Sequence, residues 1–123
     1  MNTVGVEADC IRAAWQGRVS GCMLGKPVEL LSFQEGVAGL EMYLRQAQAY
    51  PLRNYVPLLE GTPVERTGLA CCRENIVRAE PDDDINYTVL ALLLLEEKGL
   101  ELGTADVART WQSLLPAGTT WTA

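Results

Sequence analysis

Three consecutive carboxylates, Asp82-Asp83-Asp84, follow Pro81 and lead toward an unbroken apolar run of seven residues, Val89 to Leu95. Adjacent carboxylates repel one another, so their placement calls for a compensating field. The N-terminus of a helix supplies one, with unpaired N–H groups and roughly half a positive charge. One aspartate suffices as a cap, at about 1 kcal/mol; three exceed what capping requires. A hard divalent cation such as Mg²⁺ is the natural partner of clustered carboxylate oxygens. Side chains at successive positions of a helix start fan out, so one ion takes two of them or two ions share them. The triplet therefore reads either as a solvated acidic cap or as a metal site. A further acid, Glu29, stands just beyond Gly25 and Pro27, where a turn aims it either at the aspartates or into solvent.

Other chemistries are closed. Histidine is absent from the 123 residues, which excludes Ser-His-Asp and Cys-His pairs, helical zinc-protease motifs and every His-bearing metal site. The four cysteines, Cys10, Cys22, Cys71 and Cys72, contain no C-x-x-C spacing. They read as free thiols of a reducing cytoplasm rather than as a zinc site or a disulfide framework. A net charge of −6 disfavours nucleic acid or an anionic membrane surface as a partner. The longest apolar run is too short to span a membrane, and Glu7 and Asp9 occupy the place of a secretory signal. With 48% hydrophobic and 21% charged residues, the composition is that of a globular domain and not a disordered one.

The elements that must position these acids are helical throughout. A first helix is expected over about Glu7 to Leu24, with Ile11, Ala14, Trp15, Val19, Cys22 and Met23 inward and Gly25 and Pro27 as the stop. Gly17, Gly21 and Gly25 recur on one face. Interior glycine costs about 1 kcal/mol against alanine, so something is expected to come close there, a tightly packed helix or else a ligand or loop. Ser32-Phe33-Gln34-Glu35 has the capping-box pattern and predicts a second helix to about Ala47, burying Val37, Leu40, Leu44 and Ala47. From Gln48 to Glu80 the periodicity fades among Pro51, Pro57, Pro63, Gly61 and Gly68, and Glu60 to Arg78 reads as a mobile surface loop. Leucines on all sides predict a helix from the aspartates to about Glu97, buried nearly all round, with Lys98 in its last turn and Gly99 as its stop. Thr104 is expected to cap a final helix with Val107, Ala108, Trp111, Leu114 and Leu115 inward, ended by Pro116.

Two of these stretches carry a resemblance. Gly21-Cys22-Met23-Leu24-Gly25-Lys26-Pro27-Val28-Glu29 resembles the N-terminal G-x-x-x-G-x-x-x-E segment of the ADP-ribosylglycohydrolase family. Asp82-Asp83-Asp84-Ile85-Asn86-Tyr87-Thr88 is similar to that family's T-D-D-T region at a helix start. The order agrees, and Asp106 to Trp111, Leu115-Pro116 and Trp121-Thr122-Ala123 also look like a branch of it, so the likeness touches most of the chain. It implies an all-α orthogonal helical bundle holding two Mg²⁺ ions in a cleft. There the family hydrolyses the glycosidic bond between ADP-ribose and a protein side chain or related acceptor. By position, Asp83 and Asp84 match the two metal-binding aspartates. Asp82 stands where threonine, also a ligand, is commoner, and Ile85 stands where a second threonine is common. Glu29 matches the glutamate that reaches the metal site and the ribose, and is the catalytic candidate.

The family's site also uses a later D-x-D-T helix, and after Asp84 the sequence has only Asp106 and no D-x-D. The sequence is accordingly expected to be the N-terminal part, over 1–123, of a single such domain, with half a metal site and little activity alone. An exposed half-core would favour self-association. The expected partners are an ADP-ribosylated protein or an ADP-ribose-like small molecule. The rival expectation is a non-catalytic helical module that keeps the family fold without turnover.

Overall fold

The computed structural model describes residues 3–115, so the expectations placed on Pro116 and on Trp121-Thr122-Ala123 lie outside the described residues. Helices dominate, and no strand occurs among the described residues, as the all-α expectation requires. None of these helices is long and apolar enough to cross a membrane. The chain divides into two compact units, residues 1–80 and 81–123, each described by itself.

The first unit opens with α1 (Thr3–Gly25), followed by a 3-10 turn (Lys26–Val28) with Pro27 near its start. Only part of the expected inward face of α1 is covered. Met23 is buried, while Ile11 is 70% exposed and Trp15 also lies open. The reason is where the contacts fall: Met23 Sδ lies 3.7 Å from Cys71 Sγ and accepts the Glu80 N–H at 3.3 Å, both at the C-terminal end of the helix. The glycine column behaves otherwise than expected. A Cβ added at Gly17, Gly21 or Gly25 would meet nothing within 4 Å among the described residues, so no described segment makes the close approach that the column suggested. Gly21 and Met23 are two residues apart, about 200° around the helix at 3.6 residues per turn, so the column faces away from the side that Met23 buries.

Helix α2 (Glu29–Gln46) starts earlier than the capping-box pattern predicts. Ser32 is no cap: its Oγ donates to the Glu29 carbonyl at 2.7 Å within the first turn, and the Glu35 side chain lies across Gly39. The helix is broken at Gly36, where φ is 64° and ψ −160°, a region essentially restricted to glycine. Beyond the break the inward face is centred on Gly39, Leu40, Tyr43, Leu44 and Ala47. Val37, in the first turn after the break and at the edge of that face, is 82% exposed, against the predicted stripe. The last turn carries Arg45, whose guanidinium pairs with Glu41 at 2.7 Å and sits 4.1 Å over the Tyr50 ring.

The stretch after Gln46 overturns the reading of Glu60 to Arg78 as a mobile loop. It holds α3 (Pro63–Gly68), a 3-10 turn (Leu69–Cys71) and several of the most deeply buried side chains of the chain, Val56, Val64, Cys71 and Cys72. Leu31, Tyr43 and Leu44 of α2 join Val56, Val64 and Cys72 in one apolar cluster. Four successive residues are tied down from a distance. The Arg73 N–H donates to Val56 O at 2.8 Å, and the Tyr43 hydroxyl donates to Pro57 O at 2.8 Å. The Leu58 N–H donates to Glu74 Oε2 at 2.9 Å, and the Leu59 N–H to the Tyr43 hydroxyl at 3.2 Å. Backbone groups outside helices thus find partners by other means, as buried ones must. Desolvation works against ionisation of Glu74, but the Leu58 N–H and the Arg73 guanidinium outweigh it and hold the carboxyl below its ordinary range. Gly68 is where α3 meets the Pro27 turn: a Cβ there would strike Pro27 Cα and stand 2.8 Å from Pro27 Cβ.

The second unit is a helical pair, α4 (Asp83–Lys98) and α5 (Thr104–Leu114). Gly99, at φ 66°, stops α4 as expected, its N–H reaching Leu95 O at 2.9 Å. The expectation of burial on all sides fails. Leu90 and Leu94 are buried, but Leu92 is 56% exposed and Val89, Leu93 and Leu95 also lie open, because α4 has a single described helix, α5, packed on it in this unit. Tyr87 and Trp111 stack across the pair, ring centroids 4.5 Å apart and planes 8° from parallel. Of the residues expected inward on α5, Val107 and Leu115 are half-buried, whereas Ala108, Trp111 and Leu114 are exposed. Gly103, not Thr104, is the N-cap; the Asp106 carboxylate accepts the Gly103 N–H at 2.9 Å, so the cap needs no hydroxyl. That N–H, with Arg109 at 2.7 Å, holds the Asp106 carboxyl below its ordinary range.

Candidate functional site

The three aspartates meet at the start of α4, and each occupies a different structural position. Asp82 is the N-cap, with extended backbone at φ −156° and ψ 149°. Its Oδ1 accepts the Asp84 N–H at 3.1 Å, and its carbonyl accepts the Asn86 N–H at 2.8 Å. This is the standard service of an N-cap aspartate, satisfying one of the orphan donors of the first turn. Asp83 and Asp84 are the first two helical residues, where the helix field favours negative charge. Thr88 was not anticipated at the site. Its Oγ1 donates to the Asp84 carbonyl at 3.1 Å, fastening the first turn from one turn ahead, and the i, i+4 spacing of Asp84 and Thr88 was the available signal.

Burial grades along the triplet. Asp82 is 6% exposed, Asp83 is half-buried and Asp84 is exposed. A buried carboxylate needs hydrogen-bond partners; Asp82 has the Asp84 N–H at the helix start. A carboxylate has about four lone-pair directions, so capping through Oδ1 and ligation of a cation are compatible. The donor set is carboxylate oxygen, the hard chemistry that Mg²⁺ selects, usually with one or two carboxylates and several waters. Of the three, Asp82 and Asp84 have carboxylate oxygens within 4.8 Å of one another and Asp83 does not join that group, so two of the acids, not all three, have the spacing that one ion requires.

Glu29 belongs to the first unit, as the first residue of α2, and is exposed. An acid in the first turn is favourable there for the helix dipole alone. The structure thus brings the carboxylates of Asp82 and Asp84 together at one helix start, leaves Asp83 outside that group, and sets Glu29 at the start of another helix. No disulfide joins the four cysteines among the described residues: Cys10 is exposed, Cys22 half-buried, and Cys71 and Cys72 buried. Burial pushes the Cys72 thiol up to about 11, which makes it a core residue rather than a nucleophile.

Comparison with protein-family models, curated proteins and solved structures finds no match for the chain in any of the three.

Proposed function

We propose that the chain acts in Mg²⁺-dependent hydrolysis of the glycosidic bond between ADP-ribose and a protein side chain or related acceptor, in the manner of the ADP-ribosylglycohydrolase family. The observation that carries this reading is the buried N-cap Asp82 with Asp83 and Asp84 directly behind it. Three carboxylates at one helix start exceed what the cap uses. In this reading Asp82, Asp83 and Asp84 would hold the metal, which when bound would supply Lewis-acid chemistry to the substrate's oxygens. Departure of the leaving group from a ribosyl carbon builds positive charge on the ring, and the resemblance would give the stabilising carboxylate to Glu29. The acidic net charge of −6 is compatible with this reading because cations, not basic side chains, would meet the diphosphate or ribose hydroxyls.

A titration tests it. A ligand that binds only the folded state raises stability by about 2.7 kcal/mol at a hundredfold excess over its dissociation constant. Millimolar Mg²⁺ is expected to raise the melting temperature, further so with ADP-ribose, and Asp83→Ala with Asp84→Ala is expected to abolish the rise. Asp82→Asn separates the two services of that residue: asparagine caps as well as aspartate but brings no charge, so apo stability should hold while the Mg²⁺ effect shrinks. A melt indifferent to Mg²⁺ ends the metal reading.

That outcome would favour the second reading, a non-catalytic helical module of the same fold class. Its supporting observation is the open leucine side of α4, with Leu92 at 56% exposure, which suits a surface built to associate better than one built for turnover.

A further inference from the structure

We draw no further inference here: the strongest candidate, the exposed apolar face of α4 formed by Val89, Leu92, Leu93 and Leu95, is an unpartnered helix face and nothing in the structure shows what covers it.

Discussion

Alanine at Gly68 and alanine at Gly21 should move stability in opposite directions. Both glycines lie in helices, α3 and α1, and on propensity alone either change is worth up to about 1 kcal/mol of stabilisation. Their surroundings decide the sign. At Gly68 the backbone, φ −127° and ψ 6°, is open to alanine, so no conformational penalty arises. The new methyl would instead strike Pro27 Cα and come within 3.1 Å of Pro27 O. Those are backbone atoms of a buried, ring-locked residue, and they cannot swing aside as a side-chain tip can. Overpacking of this kind costs about 1–3 kcal/mol, enough to outweigh the propensity gain. At Gly21 nothing stands within 4 Å among the described residues, so the gain is kept. With a urea dependence of about 1–3 kcal/mol per molar, Gly68→Ala should lower the unfolding midpoint by about 1 M, and Gly21→Ala should raise it by about half as much. Urea melts followed by circular dichroism read both. A Gly68→Ala midpoint at or above that of the wild type would refute the close approach of α3 to the Pro27 turn. A lowered Gly21→Ala midpoint would refute the open face of α1.

Four further outcomes follow from the first unit. Gly36→Ala forces a side chain into the φ 64°, ψ −160° break of α2 and should cost about 1–3 kcal/mol in the same urea assay; no loss would mean that the helix runs straight through. Tyr43→Phe strips the hydroxyl from Pro57 O and the Leu59 N–H, and leaving such groups unpaired should cost about 1–3 kcal/mol with accelerated amide exchange at Leu59. Labelling at neutral pH should modify Cys10 promptly and Cys72 only as urea unfolds the chain. The pH dependence has a fixed sign. Cys72 moves from an ordinary 9.0 to about 11 on burial, so between those values the unfolded chain binds fewer protons than the folded one and stability falls as pH rises. Tyr43, raised chiefly by burial, pushes the same way. Stability is therefore expected to be level with respect to these groups below about pH 9 and to decline toward 11; a flat profile across that interval would contradict the burial of Cys72.

The helices were legible where a local rule governs them. The stop of α1 near Gly25, the capped start of α4 at the aspartates and its end at Gly99 follow from caps, glycine and proline alone. What failed was inference about partners. Periodicity says which residues share a face but not whether anything covers it, so Ile11, Val37 and Leu92 were expected inside and lie open. The converse error befell residues 48–80, whose lack of period read as a loop although Val56, Val64 and Cys72 are the deepest part of the core. Their order rests on Tyr43 and Glu74, each 16 positions from the amide it holds, and no window along the chain reveals such a bond. At the candidate site, residue types and spacing gave the acidic triplet and its helix. The graded burial from Asp82 to Asp84 depends on three-dimensional neighbours and was not readable.

The fastening of Val56 to Leu59 has a consequence for how that part of the molecule yields. A helix under stress can shed its last turn and keep the remainder, since its bonds run only to the adjacent turn. These four residues have no such retreat. Tyr43 grips two of them with one hydroxyl, and the neighbours Arg73 and Glu74 grip the other two, so releasing one anchor loosens a pair at once. The segment is consequently held by two interleaved anchors, so loss of either frees alternate residues along its length instead of fraying it from one end.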